Sequence, residues 1–321
     1  MTATTVSCVG VGVEEPPTST SLIAVTTTQS DPSTTTSMAT TTSTTSPFEE
    51  LSAGALITPS GVVVAIIDRG ATGYIVRTPC GNTATIGNGE PVGKVEVVLD
   101  PGHGGPIDSG AVGANGLREA DVNLKVAKAT ERLLKERGID VVLTRTANYA
   151  VRIPVRAQLA DDLGAEILVS IHHNAPTPES STAPGTEIFI QSDSEHSRRL
   201  GGLIWEHVVS ELSKIQGVQW HAAPDAGVLL VMNSRGEDSY GMVRLPETPS
   251  VLAELAYMSA PNEAEMLATS EYTDRASEAL ADAVQTYLQG TDLGSGYIDE
   301  PRVFNPQAGI SADNCEDPDL G

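Results

Sequence analysis

Two kinds of apolar pattern alternate along the chain from Lys94 onward. Six β-rich apolar runs have the length of buried strands: Val95–Leu99, Ile139–Thr144, Glu166–Ile171, Thr186–Ile190, Val228–Met232 and Val251–Leu255. The segments between them have the spacing of helices, at Ala120–Arg137, Val155–Leu163, Ser194–Ile215 and Asn262–Leu288. Strands that alternate with helices favour a parallel sheet with both faces covered. We therefore predict an α/β fold, with a mostly parallel sheet and helices on both faces.

The regions outside this alternating part differ in pattern and divide the chain. Residues 59–93 contain short β-type runs broken by glycines, which predicts a small N-terminal β appendage, either a satellite of the main domain or a separate binding module. Residues 1–50 should be disordered, since 20 of the 30 residues from 18 to 47 are Thr or Ser. Residues 289–321, with seven acidic residues against one arginine, should form an irregular, mostly solvated tail. The catalytic domain would then span 94–288.

Composition narrows the classes of partner. A net charge of −23 would repel a nucleic acid, so we expect no nucleic-acid partner. No run of about 18 apolar residues exists, so we expect no transmembrane segment. The cysteines Cys8, Cys80 and Cys315 form no CxxC pair that would bind a metal. Cys80 and Cys315 could form a disulfide or remain free thiols, and the sequence leaves both open. We expect a monomer.

Candidate chemistry collects where the predicted strands end. His103 follows the first core strand within a glycine-rich turn, and His172 follows the third, so both should leave the same sheet edge. Glu119 precedes the first long helix and faces that edge too. Two imidazoles and a carboxylate with an open position are typical of catalytic zinc sites. We therefore predict metal ligation by His103, Glu119 and His172, whereas no HExxH or GxSxG motif supports another class of hydrolase.

Glu254 lies inside the apolar run Val251–Leu255, where an unpaired carboxylate is costly to bury. We predict that it takes a proton from metal-bound water. The alternative is a structural ion pair with Arg145 or Arg156. Alternatives also exist for the ligands, because Glu119 could be a helix N-terminal acid and His103 a turn residue.

The other histidines are weaker candidates. His173 is expected to be a neighbour of the ligands or structural, and His196 and His207 should lie on a surface helix. His221 lies in a loop that could approach the site. The surrounding region Trp220–Leu245 is rich in turn signals and could line or cover a substrate groove, or be a plain surface insertion.

Four motifs in order resemble the zinc-dependent N-acetylmuramoyl-L-alanine amidases of the type 3 group. They are Val97-Val98-Leu99-Asp100-Pro101-Gly102-His103-Gly104-Gly105, then Glu119 with Val122-Asn123-Leu124, then Ser170-Ile171-His172, and Val251-Leu252-Ala253-Glu254-Leu255. The resemblance covers about residues 95–288. One departure is Ala256–Asn262, which replaces the family's more usual sequence after Glu254.

The resemblance implies one zinc ion per chain on His103, Glu119 and His172, with Glu254 as the catalytic residue. It implies hydrolysis of the amide between N-acetylmuramic acid and the L-alanine of the stem peptide. Asn174 and Arg156 match family positions that would orient neighbours of the site. Peptidoglycan as the partner implies an extracytoplasmic protein, lipid-anchored or secreted. No signal peptide is visible, although Thr5–Cys8 is similar to the end of a lipoprotein signal.

Two other functions stay open. One is a catalytically inactive, amidase-like protein that binds or regulates the cell wall. The other is a zinc hydrolase of the same fold that acts on a different amide. The presence of all four candidate residues favours an active enzyme over the inactive form.

Overall fold

The computed structural model describes residues 54–175, 185–218, 226–306 and 309–321. The segment 1–50 that we expect to be disordered, Cys8 and His221 therefore lie outside the described residues. No described helix combines the length and the apolar character that crossing a bilayer needs.

The N-terminal β appendage is present as a five-stranded antiparallel sheet. Its strands are β1 (Ala55–Ile57), β2 (Val63–Gly70), β3 (Gly73–Arg77), β4 (Thr83–Ile86) and β5 (Glu90–Val92), in the order β4-β3-β2-β1-β5. Alternating residues of β2 point to two different cores. Val64 packs with Leu56, Val76 and Ile86 inside the appendage, whereas Val63 and Ala65 pack against the main domain. The appendage is thus a satellite packed on the larger domain.

The main domain contains a six-stranded mixed sheet. Its strands are β6 (Val97–Pro101), β7 (Val141–Leu143), β8 (Ile167–Asn174), β9 (Glu187–Ile190), β10 (Gly227–Leu229) and, after the short β11 (Val231–Met232), β12 (Ser250–Tyr257). The order is β10-β9-β12-β8-β6-β7. Strands β6, β7, β8 and β12 are parallel, whereas β9 runs antiparallel to β12. The mostly parallel α/β prediction is confirmed, with this reversal at one side.

Helices cover both faces of this sheet. They are α1 (Glu119–Glu136), α2 (Ile153–Asp162), α3 (Glu195–Leu212), α4 (Gly241–Arg244), α5 (Pro261–Leu267) and α6 (Ser270–Gln289). One core contains Val97 and Leu99 with α1, α3 and α6, and the second contains Val98 with α2, α4 and the appendage. This division follows from the period of two along a strand. The predicted helix Asn262–Leu288 is broken in two, because the Thr269 side chain accepts from the Tyr272 N–H and begins α6 afresh.

The C-terminal tail is attached to the domain at both ends. After α6 its backbone follows β10 and β11, and β13 (Arg302–Val303) pairs in parallel with β11. Near its end Cys315 forms a disulfide with Cys80 of the appendage, across 235 positions of sequence. The tail is exposed over much of its length, as a solvated segment would be, but it is held against the main sheet and the appendage.

Candidate metal centre and active site

His103 and His172 approach each other at the carboxyl ends of two neighbouring strands. Their ring centroids are 4.9 Å apart. Gly102 permits this approach, since a Cβ placed there would lie 2.1 Å from His172 Nε2. His103 itself has φ of 61°, the one positive φ among the described non-glycine residues. A left-handed conformation in a non-glycine residue is typical of functional sites, because the surrounding structure must enforce it.

Glu119 completes a cluster with these two rings. It is the first residue of α1, and its Oε2 lies 3.2 Å from His103 Nε2 while its Oε1 lies 2.9 Å from His172 Nδ1. One ligand-type atom from each residue lies within 4.8 Å of the other two. Burial raises the pKa of Glu119, but hydrogen bonds to His103 and His172 outweigh burial and lower that pKa well below its usual value. The carboxylate is therefore ionised, as a metal ligand must be.

Asp108 orients the His103 ring from outside the cluster. Its Oδ1 lies 2.6 Å from His103 Nδ1, so the inner Nε2 is left to face Glu119. Burial lowers the pKa of His103, yet the hydrogen bonds to Asp108 and Glu119 outweigh it and raise that pKa to about 10. A carboxylate on the outer nitrogen is the usual support of a metal-bound histidine. Asp108 was not among the predicted site residues, although its position five residues after His103 in a glycine-rich loop was an available signal.

His173 belongs to a buried chain of polar groups behind Glu119. Its Nδ1 donates to Asn123 Oδ1 at 2.6 Å, and its Nε2 accepts from the Tyr272 hydroxyl at 2.6 Å. Burial lowers the pKa of His173 to about 3, so the ring is neutral. The His173 N–H and Asn123 Nδ2 both reach Glu119 Oε1, at 3.2 and 3.3 Å. His173 thus fixes the position of a candidate ligand rather than offering a ligand itself.

The two arginines proposed as alternative partners of Glu254 make other contacts. Arg156 forms a buried ion pair with Asp100 at 2.7 Å and also donates to the His103 carbonyl at 2.7 Å. Arg145 donates to backbone carbonyls, those of Pro101, Gly102, Ala120 and Ala147. Together these contacts hold the loop that carries His103. Neither arginine forms an ion pair with Glu254, so the structural explanation of that residue loses its support.

Glu254 lies opposite His172 in the register of β12 and β8. It is buried, and its Oε2 has no hydrogen-bond partner among the described residues. Burial raises the pKa of Glu254 well above its usual value, and the nearby carboxylates of Glu119 and Glu187 raise it further. A buried carboxylate without a partner is costly, which is typical of a group kept for proton transfer.

Glu187 is a second buried carboxylate that the sequence analysis missed. It lies opposite Glu254 in the antiparallel register of β9 and β12. It accepts from Asn174 Nδ2 at 2.6 Å and pairs with Arg302 of the C-terminal tail at 2.5 Å. Asn174 therefore orients Glu187, and the tail contributes a cation beside the site. The available signal was an acidic residue at the start of an apolar strand.

The candidate metal ligands and Glu254 face a common cavity of about 540 Å³. Its polar lining includes His103, Glu119, His172 and Glu254. Tyr240, Gly241 and Met242 also line it, so the described part of the region Trp220–Leu245 borders the cavity. A cavity of this volume, lined by a few converging polar atoms, can accommodate a small-molecule group of a substrate.

The donor set suits a metal ion of the zinc class. Two imidazole nitrogens and one carboxylate oxygen converge, one histidine is braced by a carboxylate, and the carboxylate ligand is ionised. Gly110 adds to the fit, because a Cβ there would lie 2.5 Å from Glu119 Oε2 and crowd the cluster. The arrangement can polarise a carbonyl and activate water when a metal is bound, with Glu254 nearby to exchange protons.

Comparison with known proteins agrees with the fold. Residues 97–286 match the family model described as N-acetylmuramoyl-L-alanine amidase. The uncharacterised protein YqiI of Bacillus subtilis (strain 168) is 35% identical over 215 residues, which cover 66% of this chain and 92% of that protein. The amidase AmiA of Escherichia coli (strain K12) is 29% identical over 272 residues, covering 75% of this chain and 91% of AmiA.

A solved structure is similar as well. The N-acetylmuramoyl-L-alanine amidase from Clostridium difficile 630 has a TM-score of 0.51 and 29% identity, and the match covers 62% of this chain and 99% of that one. Four of the residues discussed above, His103, Glu119, His172 and Glu254, lie within the segment that the family model matches.

Proposed function

Because this chain belongs to the N-acetylmuramoyl-L-alanine amidase family, we propose that it is a zinc-dependent peptidoglycan hydrolase. The bond cleaved would be the amide between N-acetylmuramic acid and the L-alanine of the stem peptide. One observation carries the proposal: His103, Glu119 and His172 converge within 4.8 Å on a cavity that also contains the carboxylate of Glu254, whose Oε2 has no hydrogen-bond partner in the described part of the chain.

We assign the metal to His103, Glu119 and His172, with one zinc ion per chain. When bound, zinc supplies a Lewis acid and lowers the pKa of water. The chain prepares this site through its own contacts. Asp108 and Arg156 hold His103 in place, and the His173–Asn123 pair holds Glu119. Because the pKa of His103 is raised to about 10, its ring carries an extra proton at neutral pH, and metal binding would release that proton.

Glu254 would act as general base and then general acid. Its Oε2 faces no competing hydrogen-bond donor among the described residues, so it is available to take a proton from water. A raised pKa makes this carboxylate a stronger base than a solvated glutamate. The same proton would then pass to the L-alanine nitrogen as the amide breaks, which restores the carboxylate.

A catalytically inactive cell-wall-binding or regulatory protein is the alternative. Such a protein has no need to keep, beside three candidate metal ligands, a buried carboxylate whose Oε2 has no partner among the described residues. The presence and placement of all four residues therefore favour the enzyme.

Cleavage of peptidoglycan would place the protein outside the cytoplasm. The Cys80–Cys315 disulfide supports this location independently of the site, because structural disulfides persist mainly in oxidising compartments. Whether lipid-anchored or secreted, the protein would meet its substrate there.

Glu254→Gln tests the proposed mechanism. We expect the variant to bind one zinc per chain but to release stem peptides from purified peptidoglycan about 10²–10⁴-fold more slowly, since amide cannot accept the proton. Products are identified by mass spectrometry, and free stems that begin at L-alanine are the expected product of the wild type. Exposed Glu90→Gln is the matched control.

His172→Ala is the second arm, with exposed His196→Ala as its control. Only the first should abolish stoichiometric zinc, measured by metal analysis of the purified chains. Shortened stems from the wild type, near-normal cleavage by Glu254→Gln, or full zinc in His172→Ala would each contradict a separate part of the proposal.

A further inference from the structure

The C-terminal tail reaches the same cavity as the candidate catalytic residues. Phe304, Pro306, Gly309 and Ile310 line it, and we call these four residues the C-terminal wall. They lie beyond residue 286, where the match to the family model ends. The wall is therefore an element that this chain adds to the matched domain.

The wall is fixed to the main sheet on one side. The Phe304 N–H donates to the Met232 carbonyl at 3.0 Å, and the Ser239 hydroxyl donates to the Phe304 carbonyl. Just before it, the Arg302 N–H donates to the Leu230 carbonyl at 2.9 Å, and the Arg302 side chain pairs with Glu187. These contacts give Phe304 a defined position relative to Glu254, because Glu187 lies opposite Glu254 in the sheet.

The other side is fixed to the N-terminal appendage. Cys315 is bonded to Cys80, and the Asp317 carboxylate accepts from Thr78 Oγ1, the Cys80 N–H and Asn82 Nδ2 at 2.8, 2.8 and 2.9 Å. The described residues between Arg302 and Cys315 are thus held from both sides. A segment anchored in this way keeps its side chains at the cavity at a low cost in ordering entropy.

The wall presents an apolar, aromatic surface beside the polar residues that line the same cavity. Phe304 is 46% exposed, and its ring lies 6.1 Å from the Tyr240 ring, which stacks on Phe189 at 4.8 Å. Ile107, 60% exposed, lines the same cavity. Exposed apolar side chains that line a cavity with converging polar atoms are typical of a ligand site.

We propose that the C-terminal wall is part of the substrate-binding site and that Phe304 packs against the muramoyl peptide beside the scissile amide. The proposal rests on the proposed function and adds a specificity determinant to it. The Cys80–Cys315 disulfide is the anchor that keeps the wall in its binding position.

Phe304→Ala in a Glu254→Gln background tests the contact without turnover. The ligand is a soluble disaccharide-pentapeptide that contains N-acetylmuramic acid, and its dissociation constant is measured by calorimetry. We expect the dissociation constant to be about tenfold higher than that of Glu254→Gln alone, because the variant loses the apolar area that one aromatic ring buries against the ligand. In the otherwise wild-type chain, the same substitution should raise KM by a similar factor and change kcat much less.

Val303→Ala is the matched control, because Val303 is the neighbouring residue, is 71% exposed and does not line the cavity. It should leave the dissociation constant and KM unchanged. Equal binding by the Phe304→Ala and Val303→Ala proteins would overturn the proposal, even if the wild-type enzyme is fully active. Absence of both binding and cleavage by the wild type would overturn the proposed function, and the wall proposal with it.

The Cys80→Ser, Cys315→Ser double variant tests the anchor. We expect KM to rise as it does in Phe304→Ala, with a cooperative thermal transition showing that the domain is still folded. A folded double variant with wild-type KM would overturn the role of the disulfide in holding the wall.

Discussion

Tyr272 shows how far from a candidate ligand a positioning contact can begin. Its hydroxyl donates to His173 Nε2, His173 Nδ1 donates to Asn123, and both His173 and Asn123 reach Glu119 through N–H groups. Each member is buried, so none can exchange its partner for water. The orientation of the Glu119 carboxylate therefore depends on a residue of α6 that does not line the cavity.

Tyr272→Phe should remove the first hydrogen bond of this series while all three candidate metal ligands stay present. A buried, unsatisfied His173 Nε2 should lower the free energy of unfolding by about 1–2 kcal/mol. Zinc affinity should fall by about tenfold, the lower end of the range for contacts behind metal ligands. Denaturant titration measures the first quantity, and competition with a chelator measures the second.

Tyr287→Phe is the control in the same helix. Its hydroxyl lies 3.1 Å from Nδ1 of His196, and neither residue belongs to the cluster of candidate ligands. Zinc affinity should be unchanged in this variant. Equal zinc affinities for the Tyr272→Phe protein and the wild type would contradict the positioning role.

At this scale the sequence predicted which side chains meet but not what supports them. His103 follows β6 and His172 lies near the carboxyl end of the parallel strand β8, so their convergence follows from topology alone. Asp108 reaches His103 only through the path of a glycine-rich loop, which no periodicity describes. Glu187 faces Glu254 only because β9 is antiparallel, and its apolar pattern is the same in either direction.

Helix α5 carries a buried acid of a different kind. Glu263 accepts from the Tyr257 N–H at 2.6 Å through Oε2, and its Oε1 has no partner in the described part of the chain. Burial raises the pKa of Glu263 to about 8, although the Tyr257 hydrogen bond lowers it somewhat. The contact closes the turn between β12 and α5. Tyr257 belongs to Ala256–Asn262, the run that departs from the family's usual sequence, and Glu263 follows that run directly.

Glu263→Gln should stabilise the protein at neutral pH. Because the folded-state pKa lies above the unfolded value, the native state binds the extra proton, and stability falls as pH rises from about 4.5 to about 8. An amide keeps the acceptor for Tyr257 and does not ionise. We expect a gain on the order of 2 kcal/mol at pH 7, shrinking towards zero near pH 4.

Unfolding free energies at several pH values check this, with exposed Glu265→Gln as the control. A gain independent of pH would show that ionisation of Glu263 is not the cause.

At the scale of elements, the strands and long helices were predictable from the period of their apolar residues. The break at Thr269 was not, because a single capping side chain decides it.

For the whole molecule, the Cys80–Cys315 bond is the contact that the sequence left open. Two cysteines separated by 235 positions carry no sign of proximity, because their meeting depends on the path of the tail over the finished domain. The sequence predicted an acidic and irregular tail, yet hydrogen bonds of its backbone to β10 and β11 hold it in place. Such pairing of an irregular segment with a strand leaves no periodic pattern in the sequence.

Reduction of this bond should lower the free energy of unfolding by about 2–4 kcal/mol, since the oxidised chain has a more restricted unfolded state. Thermal or denaturant unfolding with and without dithiothreitol measures the effect. The Cys80→Ser, Cys315→Ser variant should not respond to the reductant. A wild type whose stability is the same in both states would contradict the expectation.

The same bond turns the segment from Cys80 to Cys315 into a covalent ring that contains the whole catalytic domain. A protease that cuts this ring once produces no separate fragment, because the two halves remain joined through sulfur. A cut in an exposed connection would then be visible on a denaturing gel only after reduction. The protein can thus be nicked and still carry both the candidate metal site and the C-terminal wall in one molecule.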